Sequence, residues 1–115
     1  MAIIQQVAAT VTPTLNTETF LANVAVPGSY TLHLDLSTMA AGDNLEVRIY
    51  QMVLTGGTSR VAYFSSYSHA QPTDNMIAIS VPISNELTDA QALRFSIKQT
   101  SGTAKSYPHK ILRFI

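Results

Sequence analysis

Across residues 19–115, apolar and polar positions alternate in short runs, and turn residues break the runs at fairly even spacing. A period of two sends successive side chains to opposite faces of a strand. The clearest run is residues 29–36. There Tyr30, Leu32, Leu34 and Leu36 point one way, and Ser29, Thr31, His33 and Asp35 point the other. This predicts an antiparallel strand with one buried face. A run over residues 19–26 precedes it and stops at the turn pair Pro27-Gly28.

Residues 37–43 come next. Ser37 is placed to cap one helical turn, and Gly42 to end it in a left-handed conformation. Residues 44–54 read as a long strand. Leu45, Val47, Ile49, Gln51 and Val53 share one face; Glu46, Arg48, Tyr50, Met52 and Leu54 share the other. The far end of that strand is apolar on both sides. Such an end needs a cover, so Tyr50, Met52 and Leu54 are the expected interface. The cover is an N-terminal arm, a loop or another subunit.

Gly56-Gly57 suits a hairpin turn, and residues 60–68 are the return strand. Residues 71–75 form a loop. Residues 76–83 form a strand with Ile77, Ile79, Val81 and Ile83 inward, and Pro82 marks an edge or an end. Residues 93–99 turn Leu93, Phe95 and Ile97 inward, Ser101-Gly102-Thr103 reverses the chain, and residues 106–115 close it. Gly28, Gly42, Gly56, Gly57 and Gly102 are the expected structural turn positions. Residues 1–18, interrupted by Pro13, are an N-terminal arm or an edge strand; residues 19–115 are one domain. No run keeps a helical period over ten residues. Seven to eight short strands with Gly and Pro turns predict an all-β, antiparallel sandwich, jelly-roll-like in form.

Composition sharpens this. The chain has 115 residues, enough for one domain with a core of its own. Only 12% of its residues are charged, and its formal net charge is zero. A neutral surface is easier to bury, and nothing keeps copies apart by repulsion. Both features lean toward an oligomer. The charges are also unevenly placed. Residues 1–89 hold all seven acids with only Arg48 and Arg60, whereas residues 90–115 hold five bases and no acid. Cross-strand pairing of the basic end with the Glu46 strand accounts for that simply; a basic face meeting an acidic partner is the sharper reading.

Candidate chemistry is sparse. The chain has no Cys, so thiol chemistry and disulfides are excluded. His33, His69 and His109 fall on separate strands without a second ligand at metal spacing. Gly56-Gly57 lacks the Lys-Ser/Thr and helix of a phosphate loop. No catalytic residues, cofactor or metal are expected, and no enzyme activity. The five C-terminal bases are not clustered, so no nucleic acid is expected as partner. Residues 1–6 hold no basic region and no long apolar run, so no signal peptide is expected. No segment approaches the roughly 20 apolar residues that span a bilayer, so no membrane partner is expected. The aromatic residues leave room for a glycan-binding face.

Three stretches carry a likeness as a set. They are Ala41-Gly42-Asp43-Asn44-Leu45-Glu46-Val47-Arg48, the hairpin from Val53 through Gly56-Gly57 to Tyr63, and the segment from Ile97 through Gly102 to Pro108. Together they resemble a family of small all-β proteins of tailed phages and viral metagenomes. The likeness covers residues 30–115. Members often carry an aromatic residue where this chain has His109. The resemblance implies a virion structural protein, above all a capsid decoration (cement) protein. It implies a homotrimer, the major capsid protein or other virion proteins as partners, and location in the virion after synthesis in the host cytoplasm. A neck, tail or fibre-base component is the alternative within virions, and a carbohydrate-binding sandwich the alternative outside them.

Overall fold

The computed structural model describes residues 2–115. Among the described residues nine strands form: β1 (Ile3–Val11), β2 (Thr19–Val24), β3 (Gly28–Asp35), β4 (Asn44–Gln51), β5 (Arg60–Ser68), β6 (Ile77–Ile79), β7 (Ile83–Asn85), β8 (Leu93–Ser101) and β9 (Tyr107–Phe114). One sheet runs β1-β9-β3-β6, with β7 also on β3. The second runs β2-β8-β4-β5. All pairings are antiparallel. The two sheets pack face to face, which is the all-β antiparallel sandwich that the alternation predicts.

The core lies between the central strands. Tyr30, Leu32 and Leu34 of β3 and Tyr107 and Ile111 of β9 come from one sheet. Leu45, Val47 and Ile49 of β4 and Leu93, Phe95 and Ile97 of β8 come from the other. Each is at most 3% exposed. Burying a side chain of this kind stabilises the fold by about 1.5–3 kcal/mol. The period-two reading therefore finds the inner face of three central strands correctly.

The first strand is pinned along its whole length. Its register with β9 runs from Ile3↔Phe114 to Val11↔Tyr107, with one irregularity between Gln5 and Val7. Ala2 and Ile115 exchange backbone hydrogen bonds at its start. Residues 3–11 are thus an edge strand of the five-stranded sheet.

Three local expectations are corrected. The strand over residues 44–54 stops at Gln51. The Met52 N–H donates to the Ala92 carbonyl, and residues 53–57 form a turn closed by Gly57 N–H to Leu54 O. Residues 37–43 contain no helix. Two successive turns occupy them, closed by Met39 N–H to Leu36 O and Asp43 N–H to Ala40 O. Asp35, not Ser37, supplies the capping oxygen there, accepting the Ser37 N–H.

The third correction reverses a face. Ile77, Ile79 and Val81 are 50–58% exposed. Ala78 pairs with the inward Leu34, so Ile77 and Ile79 sit opposite the outward Asp35 and His33. Ser80 takes the inner position and bridges the broken ladder. Its N–H donates to Leu32 O, and its Oγ accepts the Leu32 N–H, both at 2.9 Å. Beyond Pro82 the parity changes, and Ile83 turns inward opposite Tyr30. Four apolar residues at even spacing do not distinguish one continuous strand from two with a break.

Candidate functional site

The two sheets expose outer faces of different chemistry. On the five-stranded sheet, register places Ala8, Lys110, His33 and Ile79 in one row across the strands. Thr10 and Pro108 share the next row on one side, Asp35 and Ile77 on the other. The residues from β1 are small, and a groove of about 480 Å³ opens over them. It is lined by Ala8, Thr10, His33, Asp35, Ile77, Pro108 and Lys110. His33 Nε2 lies 3.1 Å from Thr31 Oγ1. Burial, and then the Lys110 ammonium, hold the imidazole below its ordinary pKa, so it stays neutral at pH 7. Apolar side chains flank this centre: Ile77, Ile79 and Val81 on one side, Ile3 at 61% exposure on the other.

The outer face of the four-stranded sheet is aromatic and cationic. One row runs Phe20, Ser96, Arg48, Phe64 across all four strands. The next holds Asn23, Arg94, Tyr50 and Val61. The Arg94 guanidinium lies 3.7 Å from the centre of the Phe20 ring, and that of Arg48 lies 5.0 Å from the centre of Phe64. Glu18 anchors the middle. Its Oε2 accepts the hydroxyls of Tyr50 and Ser96, each at 2.6 Å. Burial alone pushes this carboxyl up. The two hydroxyls, with Arg48 and Arg94, outweigh that and hold it below its usual value. Phe20 and Phe64 remain 38% and 50% exposed at the two ends of the row.

One end of the sandwich holds a buried polar knot. Asp43 is 2% exposed. Its Oδ2 accepts from Lys105 Nζ at 2.8 Å and from Ala40 N–H at 2.9 Å. Its Oδ1 accepts the Thr103 N–H at 3.0 Å. Gln99, fully buried, accepts from the Tyr107 hydroxyl and donates to Asp43 Oδ1 and the carbonyls of Ser101 and Thr103. Burial, and then the nearby Asp43 charge, push the Tyr107 hydroxyl up to about 12. His69 joins from just beyond the end of β5. It adopts φ of 65°, donates its N–H to Asp43 O, and accepts the Gly42 N–H on Nδ1. The knot thus fastens the β3–β4 turn to the β8–β9 hairpin. Residues 41–48 and 97–108 meet here.

The expected interface residues do not share a surface. Tyr50 is half-buried against Phe20 on the aromatic face, with ring centres 5.9 Å apart. Met52 is 8% exposed, whereas Leu54 stands 73% exposed at the β4–β5 tip beside Val53. Of the expected turn glycines, Gly28, Gly42, Gly56 and Gly102 have positive φ. Gly57 does not, yet a β-carbon there would lie 2.9 Å from Leu54 O. Among the described residues no three His, Cys, Asp or Glu side chains gather closely enough to hold a metal. The basic C-terminal strands do meet acidic neighbours. Lys98 is the register partner of Glu46, and Lys105 pairs with Asp43.

Sequence reasoning missed both outer faces. Glu18 lay outside every periodic run, and only the β2–β8–β4 register brings it to Tyr50 and Ser96. No family model, curated protein or solved structure matches the chain. None of the described helical residues forms a segment long and apolar enough to cross a membrane.

Proposed function

We propose that the chain is an assembly protein, the virion structural component that the phage-family likeness implies. Capsid decoration is the role that fits best, with copies meeting one another and the shell through the five-stranded sheet. The observation that carries this is the outward set Ile77, Ile79 and Val81, half or more exposed on a face that also displays Ile3. Apolar residues gathered on one face of a small neutral domain are more often contact surface than solvent surface. The strand order supports a jelly-roll topology. Every connection crosses between sheets except β4–β5 and β6–β7, as two interleaved Greek keys require.

Light scattering at micromolar concentration tests the reading. The expected mass is a multiple of 12.5 kDa, with a trimer favoured. An Ile77→Lys, Ile79→Lys double variant should lose mass yet keep its fold, because both side chains already face solvent. A wild-type chain that stays monomeric at every concentration counts against the reading.

A second reading rests on a separate observation. Phe20 and Phe64 stand at the two ends of one row across the four-stranded sheet, with Arg48 between them. Exposed rings flanking polar side chains on a flat sheet suit a glycan chain.

A further inference from the structure

We propose that β1 is a pairing edge, and that its partner is β1 of a second copy, antiparallel across a two-fold axis. The inference rests on the assembly reading above and names one contact surface within it. An edge strand presents a row of unpaired N–H and C=O groups, and natural sheets protect such edges with charge, Pro, bulges or brevity. The other three edges of this sandwich are protected. The edge at β6 and β7 is broken at Ser80 and Pro82 into pieces of three residues each. The β5 edge carries Arg60 and a register shift opposite Ile49 and Tyr50. The β2 edge is six residues long, shifts register between Phe20 and Ala22, and follows Glu18 directly.

The β1 edge shares one such device, a register shift between Gln5 and Val7, but lacks charge, Pro and brevity. It runs nine residues, Ile3–Val11, with neither a charge nor a Pro. Among the described residues its one strand partner is β9. It is held rigid at both ends, so little ordering remains to be done on pairing.

Charge selects the partner. A strand with no charge cannot favour an acidic or basic strand over a neutral one. A copy of itself is neutral, equal in length and always at matching concentration. Self-pairing about a two-fold axis near Ala8 brings that residue near its own mate and lays each half of the strand against the other half, so like charges at mirrored positions would meet. Here none does. Side-chain size agrees. Ala8 and Thr10 face outward on this strand and are small, so two sheets can meet flush. The 480 Å³ groove beside them would then continue across the axis into its twin. Strand pairing alone buries less than the roughly 1,200 Å² of a stable interface, so the contact is reversible and concentration-dependent.

Gln5 and Thr10 face outward opposite Leu112 and Pro108, with Lys110 between those two on β9, opposite Ala8. They lie on either side of the strand's centre, so an antiparallel pair brings position 5 of one copy near position 10 of the other. Three full-length proteins are compared by light scattering and thermal melting: wild type, Gln5→Lys with Thr10→Lys, and Gln5→Glu with Thr10→Glu. Each charged variant should melt like wild type and associate about tenfold more weakly or worse, halving its mass near the wild-type midpoint. An equimolar mixture of the two should regain the wild-type mass, because opposite charges then face each other. Charged variants that keep the wild-type mass overturn the edge contact, while the assembly reading stands on the sheet face. A mixture that stays dissociated overturns self-pairing. A wild-type chain that never associates removes both.

Discussion

Asp43 concentrates much of the fold's specificity in one carboxylate. It neutralises Lys105, closes the turn at Ala40 and receives the hairpin amide of Thr103. Gly102 makes room for it. A β-carbon at Gly102 would lie 2.0 Å from Asp43 Oδ1, and its φ of +86° disfavours any other residue. Asp43→Asn should therefore cost about 2–4 kcal/mol, since it leaves Lys105 and two amides poorly matched. The pH dependence follows from the sign of the shift. Burial raises the Asp43 pKa, but Lys105 and the Ala40 and Thr103 amides outweigh it, so the folded value sits below the ordinary 3.8. The stabilisation is then complete above the unfolded-state pKa and is lost as pH falls through the folded one. Wild-type Tm should drop more steeply than that of Asp43→Asn as pH falls below about 4. Parallel acid limbs in the two melting series would show that Asp43 is not the titrating anchor.

At the scale of elements, legibility followed periodicity. The runs that became β3, β4 and β8 each had an alternating apolar face, and each buries that face. The run from Met76 to Ile83 had the same pattern and was misplaced, because Ser80 and Pro82 reset the parity in its middle. Pro82 was visible as a break, but the hydroxyl of Ser80 acting for a missing ladder bond is a tertiary event. The outer faces were not legible, because register between distant strands decides which polar residues meet. The Tyr50–Leu54 stretch shows the consequence. Its three expected contact residues divide into a half-buried ring, a core side chain and an exposed tip. Met52→Lys should unfold the chain rather than dissociate it, costing about 2–4 kcal/mol, or roughly 10 °C or more in Tm. Leu54→Lys at the tip should move stability by no more than about 0.5 kcal/mol. If Met52→Lys melts like wild type and only loses mass, the buried placement of that side chain is wrong.

The whole molecule is a slab whose two sheets share one core and present unlike faces to solvent. The five-stranded face is apolar at its flanks and ends on an uncharged edge. The four-stranded face is a lattice of Arg48, Arg94, Phe20 and Phe64 tied to Glu18. Residues this far apart, with no common partner, should act independently. A Phe20→Ala, Phe64→Ala double variant should therefore leave the mass of the assembly unchanged, whereas Ile77→Lys with Ile79→Lys should reduce it. The same aromatic variant separates the two functional readings. Titration calorimetry with neutral oligosaccharides should show heat for wild type and none for the aromatic variant if the four-stranded face takes glycans. Binding that survives loss of both rings would move the glycan site elsewhere. Absence of binding in the wild type, together with a mass set by the five-stranded face, would leave the Arg–aromatic lattice a structural role. It would then keep a flat sheet face ordered by cation–π contacts and one shared carboxylate.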